Sequence, residues 1–454
     1  MRKAILALAV AMFMVSAVVA GEFNWRQCEG QTVKVMLVQH PYAEGMLKKI
    51  ADFEKLTGIK VEQNVIPEEN YMDKLATSIA SRSGDPDVFM SGAYQAWEYA
   101  PAGYLVDLDE YVNNGKLTAA DYDIGDFYDS ILGSMRWDLV PGHKVGTGKL
   151  WGIPVGFETN CISYNKVLFK EKGITPPTTP EELYAAAKKL QNFDGPSTYG
   201  IAVRGTRNWA TVNTGYLTTF ANYGAVDMAI ENGRLVSKLD SPEAIKMTQD
   251  WVDMIKESAN PQWSTNTWYQ CAADLGARKA AILFDADILG YFTNFKGGSD
   301  QSGNLASLAP VKPASNTKPL TANLWAWALS MNNFSKSKDA AWLFLQYFTS
   351  KDFLTFSVTE WKSVDTPRKS VFNNPDFQKL IGEFEGYKEM FDKTIPGATI
   401  LFTPNPYHFE VTTMWAATLQ DIVAGTYPTA EAGMKDLKKR IDNVLADIDL
   451  EDYE

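Results

Sequence analysis

Histidine and cysteine are scarce, with three of each in 454 residues. His40, His143 and His408 stand in no H-x-x-x-H or related spacing, which leaves little room for zinc or histidine-based catalysis. Basic residues are in deficit too: 43 Lys+Arg face 55 Asp+Glu, a formal charge of -12. A phosphate-backbone partner needs a Lys/Arg footprint, so nucleic acid is excluded early. No G-x-S-x-G elbow is present. The stretch from Gly142 to Leu150 has the wrong glycine spacing for a phosphate loop, and Leu150 stands where a Ser/Thr would hold magnesium. Ferric iron would call for clustered Tyr and His, and no adjacent Tyr pair occurs. No metal and no cofactor are expected. Repeats, low-complexity segments and Gly/Ser linkers are also missing.

What is present begins with a leader. Arg2 and Lys3 precede an apolar run from Ala4 to Ala17, and Val18 and Ala20 supply small residues before Gly21. That pattern predicts a secretory signal peptide over residues 1–20, since the run is shorter than the ~20 apolar residues of a spanning helix. No later segment approaches spanning length. Cys28 follows Arg26 and Gln27, unlike the lipid-modified cysteine of a lipoprotein. The mature chain is therefore expected to be soluble and periplasmic. Cys28, Cys161 and Cys271 are an odd set; one bridge plus one thiol, or three buried thiols, fit equally well.

Beyond the leader, length alone suggests two domains or two lobes. Thr32 to Val38 reads as a strand, Met46, Ile50 and Phe53 as one helix face, and Ile59 to Val65 as a second strand. A helix from Glu68 to Ser81 and a strand from Pro86 to Met90 follow. Strand–helix–strand–helix–strand implies parallel pairing, with ligands beyond the carboxyl ends of the strands, near His40–Glu44 and Ser91–Trp97. Thr179-Pro180-Glu181-Glu182 starts a later helix with a capping box, and Ser241-Pro242 starts another. Met434, Leu437, Ile441, Val444, Leu445 and Ile448 form a 3.6-residue core stripe. Two apolar, β-prone segments, 152–166 and 320–331, are long enough to cross between lobes.

Several stretches carry a resemblance. Gly148-Lys149-Leu150-Trp151-Gly152-Ile153-Pro154, then Ser163-Tyr164-Asn165-Lys166-Val167-Leu168-Phe169, is similar to the crossover signature of extracellular solute-binding proteins, family 1. Gly173 to Leu183, Lys279 to Asp285 and Ala340 to Leu345 continue the pattern in order along the chain. A narrower likeness, to the polyol- and monosaccharide-binding branch, rests on Arg204-Gly205 with Trp209, on Asn323 to Leu329, on Pro367 to Val371 and on Glu158. The resemblance implies an α/β fold of the periplasmic-binding-protein type II: two α/β lobes joined by crossing hinge strands, with ligand in the cleft. It implies a first lobe from 26–155 plus 272–326 and a second from 156–271 plus 327–454. It also implies a monomeric sugar- or polyol-binding component of an ABC importer. Such a component delivers its ligand to membrane permease subunits and meets the membrane only through them.

A polyol or sugar offers apolar C–H faces ringed by hydroxyls, so its site needs flat aromatic surfaces and paired donors and acceptors. Trp325 shares one side of a strand with Trp327, and Trp209 lies in a polar loop. Tyr42 and Tyr94 follow strand ends. Trp361 and Tyr407 are weaker aromatic candidates. Glu158, on an apolar strand, needs a partner or a ligand; Asp285 ends another strand and can accept two hydroxyl protons. Arg204 and Arg368 are multi-donor forks that either bind ligand or bridge lobes. Two alternatives stay open. A polyamine would favour acids with aromatics, and a secreted glycosidase would need a flanking pair of carboxylates, which no spacing singles out.

Overall fold

The computed structural model describes residues 22–453; the expected leader, residues 1–20, lies outside them. The chain opens with β1 (Thr32–Val38), α1 (Pro41–Thr57), β2 (Lys60–Ile66), α2 (Glu68–Ala80), β3 (Val88–Ser91) and α3 (Ala93–Tyr99). It continues through β4 (Ile153–Asn165), α4 (Pro180–Lys189), β5 (Tyr199–Ala202), α5 (Pro242–Ser258), β6 (Ala280–Ala286) and α6 (Asp287–Asn294). Then come β7 (Leu305–Leu308), β8 (Ala322–Met331), α7 (Lys338–Phe348), α8 (Tyr387–Thr394), β9 (Ala398–Thr399), α9 (His408–Val423) and α10 (Ala430–Leu445). Shorter helices connect them.

Local signals set the helix ends. At α1, the His40 side chain accepts from Tyr42 N, Pro41 takes the first position, and Gly58 ends the helix at φ 71, a conformation costly for any residue with a Cβ. Thr179 caps α4 through Glu182 N. The Glu182 carboxylate returns not to the cap but to Thr178 N and Oγ1, each at 2.7 Å. Ser241 caps α5 in the same way. The stripe on α10 is a core face as expected: Met434, Leu437, Ile441 and Leu445 are all buried. β2 differs from expectation. Although its sequence alternates, all but two of its residues are exposed, because it is the edge of the sheet and only one neighbour covers it.

The strand order β2-β1-β3-β8-β4-β6-β5 is continuous, with β7 pairing β4 and β9 pairing β8. Two long strands make this possible. The start of β4 and the middle of β8 pair with each other, antiparallel, from Ile153↔Leu329 to Thr159↔Leu324. Beyond that, β8 pairs with β3 at Ala328 to Met331, while β4 pairs with β6 at Asn160 to Tyr164. One strand therefore leads out of the first lobe and the other leads back.

This pairing corrects the expected division of the chain. Segment 272–326 was expected beside β1–β3, yet β6 pairs with β4 and β5 in the second lobe. The return passage is β8 itself, because it runs antiparallel to the outgoing strand. Consequently 328–331 belongs with β3, and α7 packs on α1, with Phe344 and Phe53 rings 5.5 Å apart. The chain then passes back once more, and α9 and α10 pack on α5. All three cysteines are buried and free. Among the described residues, no helix is long and apolar enough to cross a membrane.

Candidate functional site

The antiparallel crossing sets the register of the site. Glu158 stands opposite Trp325, and Gly156 opposite Trp327. Gly156 has to be glycine, because a Cβ there would run into the Tyr42 ring. Trp327 Nε1 donates to Glu158 Oε1 at 2.9 Å, and His40 Nε2 lies 3.5 Å from the same oxygen. Burial alone would raise the Glu158 pKa. Hydrogen bonds from His40 and Trp327, with the charges of His40 and Arg204, outweigh it and hold the carboxyl below its usual value.

Arg204 follows the end of β5, and Asp285 lies near the end of the parallel strand β6, so the two meet at the strands' carboxyl edge. Arg204 grips the Asp285 carboxylate through Nη2 at 2.7 Å and Nε at 2.9 Å. Asp285 is fully buried and the Arg204 side chain nearly so. Burial opposes the arginine's charge, but Asp285 overcomes it and raises its pKa. Among the described residues, Arg204 donates through Nε and Nη2 only. Glu68, at the start of α2, is close enough to feel Arg204, Glu158 and His40. One of its carboxylate oxygens is buried without a partner, and burial raises its pKa.

From this charged end an aromatic row runs along the crossing strands. Ring centroids step from Tyr42 to His40 (5.0 Å), Trp327 (5.0 Å), Trp325 (5.1 Å), Tyr94 (5.1 Å) and His408 (4.3 Å). Trp209 lies alongside, 5.3 Å from Trp325 and 5.7 Å from Tyr94, and is only partly buried. Trp325 sits over Gly92, where a Cβ would come within 2.8 Å of the indole.

Six of the expected residues thus come together: Tyr94, Glu158, Arg204, Trp209, Asp285 and Trp325. Arg368 does not join them. It is completely buried, and its guanidinium donates to the carbonyls of Thr349, Asp123 and Tyr122. It also lies 4.2 Å over the Phe127 ring. Arg368 is a structural tie, because a fully buried fork has no other way to satisfy its donors. Tyr42 touches the site only by its ring. Its hydroxyl, 2.9 Å from Phe157 O and 3.1 Å from Val364 O, is spent on the backbone. Trp361 covers Gly45 and donates to Pro41 O. Tyr407 precedes α9 and packs against the core.

Sequence reasoning missed Glu68, Asn213 and His408, and it pointed to the His40–Glu44 loop and the Asn323–Leu329 segment without naming His40 or Asn323 as site residues. The place of His40 directly after β1 is what marked that loop. Also missed was a carboxyl pair behind the crossing. Asp287 Oδ1 accepts from Thr159 N at 3.0 Å, and Tyr387 Oη donates to Asp365 Oδ1 at 2.8 Å. Burial drives both carboxyls up, Asp287 to about 7, and Asp365 is pushed further by the charge of Asp287. Among the described residues, no group of three or more His, Cys, Asp or Glu is placed to hold a metal.

The profile of the bacterial extracellular solute-binding proteins matches residues 39–353. An erythritol/L-threitol-binding protein of Mycolicibacterium smegmatis is 37% identical over 409 residues, covering 90% of this chain and 85% of that one. A mannitol-binding protein of Pseudomonas aeruginosa is 29% identical over 290 residues, 63% of this chain and 62% of its own. The fold matches that of an ABC transporter solute-binding protein from Agrobacterium radiobacter, solved with ribitol, with a TM-score of 0.79 and 21% identity. That match covers 92% of this chain and 99% of the other.

Proposed function

Since the chain belongs to the bacterial extracellular solute-binding proteins, we propose that it captures a small polyol between its lobes and hands it to the permease of an ABC importer. The supporting observation is the pairing of a charged end with an aromatic row on one crossing. Arg204 Nη1 supplies donors, and Glu158 and Glu68 supply acceptor oxygens for hydroxyls. Trp325 and Trp209 supply flat faces for the carbon chain. The groups come from both lobes, so a ligand that bridges them favours the closed arrangement by its differential affinity. The similarity to a relative named for erythritol and L-threitol points the same way.

In this reading the protein binds without turnover, acts as a monomer after export to the periplasm, and meets the membrane only at the permease. A polyamine is the second candidate ligand, favoured by the buried free oxygen of Glu68. The Arg204 charge beside it disfavours a polycation.

A thermal-shift screen against erythritol, threitol, mannitol, sugars and polyamines tests the proposal, because ligand bound only to the folded state raises its stability. Polyols are expected to raise the melting temperature. A rise with spermidine alone would transfer the function to polyamines. Trp209→Ala is expected to weaken polyol binding by about 1–2 kcal/mol, the scale of one lost aromatic contact, with the ligand-free melting temperature nearly unchanged. A lower melting temperature with affinity retained would make Trp209 a packing residue.

A further inference from the structure

Both lobes and the returning strand meet in one sealed contact at the far end of the aromatic row. Tyr94, on α3 of the first lobe, donates through its hydroxyl to Asn213 Oδ1 of the second lobe at 2.8 Å. The same hydroxyl accepts from Asn323 Nδ2 of β8 at 3.1 Å. Asn323 is fully committed: its amide nitrogen also reaches Asn213 O at 2.8 Å, and its oxygen accepts from Leu401 N at 3.0 Å. The His408 ring stacks on Tyr94 at 4.3 Å, and Phe402 backs both, 5.5 Å from Tyr94 and 4.8 Å from His408.

Every residue of this contact is buried, with Asn213 the most exposed at 7%. Tyr94 is 1% exposed, Asn323 1%, His408 2% and Phe402 3%. Burial also keeps the His408 ring neutral, lowering its pKa to about 3. The Tyr94 hydroxyl and the Asn323 amide are already partnered within this contact, and His408 Nε2 is buried in it without a partner, so a longer ligand meets close-packed side chains at this end. Glu158 holds Trp327, one ring short of Trp325, and Tyr94 follows directly on Trp325. Beyond Trp325 the row passes into this buried contact.

We propose that Tyr94, wedged between His408 and the Asn213–Asn323 pair, is a length stop that admits one short polyol chain and rejects any ligand extended by a further sugar ring. The inference rests on the polyol reading and deepens it. An added ring on the Trp325 side would meet Tyr94, whereas the charged end is occupied by groups that bind hydroxyls.

The test compares mannitol with maltitol, a hexitol carrying one glucosyl ring, by calorimetry on the full chain. The wild type is expected to bind mannitol and to bind maltitol at least about tenfold more weakly, a difference of about 1.4 kcal/mol or more. Tyr94→Ala and His408→Ala each open the same end and are expected to narrow that ratio. Tyr94→Phe keeps the ring and is expected to preserve it. Wild-type affinity for maltitol equal to that for mannitol would overturn the stop and leave the polyol reading standing. So would continued rejection of maltitol by both alanine variants when each is folded and binds mannitol. A wild type that binds neither compound, nor any other polyol, refutes the polyol reading, and the stop with it.

Discussion

Replacing Arg204 with methionine is expected to destabilise the protein by about 3–5 kcal/mol and to abolish polyol binding. The reason lies in Asp285, which has no exposed surface and whose two oxygens both accept from the Arg204 guanidinium. Without that partner a carboxylate is left buried and uncompensated. Two effects are mixed in this variant, and a second variant separates them. Arg204→Met with Asp285→Leu removes both charges, and replacing a buried pair by apolar groups is often close to neutral. The double variant is expected to recover most of the stability and none of the binding. Denaturant unfolding reads the first quantity and calorimetry the second. Recovered binding in the double variant would show that Arg204 only holds Asp285 in place.

The carboxyl pair behind the crossing gives the second large effect, in the pH dependence of stability. Asp287 and Asp365 are both buried, and both are raised above the ordinary aspartate value. A carboxyl with a raised folded-state pKa binds more protons folded than unfolded. Stability from this source is fully present below the unfolded value near 4 and is lost as pH rises to about 7, the value for Asp287. The limiting slope is about 1.4 kcal/mol per pH unit for each proton. Asp365→Asn removes one titrating group and keeps an oxygen that can accept from Tyr387. Its melting temperature is expected to gain on that of the wild type progressively as pH rises above about 4. Parallel curves for the two proteins across that range would rule the pair out as the source.

The sequence carried the fold where periodicity and caps agree. The β1–α1–β2–α2–β3 run, the Thr179 and Ser241 caps and the α10 stripe are local patterns, and each appears in the structure. The two crossing segments were legible as well, being long, apolar and β-prone. Their direction was not. Whether 320–331 leads into or out of the first lobe depends on which neighbour it pairs with, and pairing is a long-range property.

Arg204 and Arg368 look alike in sequence, each a fork among small and polar residues. What separates them is the company that arrives from elsewhere. Asp285 engages only Nε and Nη2 of Arg204, whereas every guanidinium nitrogen of Arg368 donates to a carbonyl or to Asp126 and none is exposed to a ligand. Tyr42 and Tyr94 both have hydroxyls claimed by distant groups, the carbonyls of Phe157 and Val364 for the first and Asn213 with Asn323 for the second. His408 lay beyond reach, because its role depends on α9 meeting α3 across the lobes.

The indole row has an optical consequence. The ring centroids of Trp209 and Trp325 stand 5.3 Å apart, and those of Trp325 and Trp327 stand 5.1 Å apart. Chromophores this close share excitation, so their near-ultraviolet transitions split instead of simply adding. Trp209 is carried by the second lobe, but Trp325 and Trp327 ride on the strand between lobes. Any rotation of one lobe against the other changes the first spacing and leaves the second fixed. Capture and release should therefore write themselves into the circular dichroism of the native chain, with no dye attached.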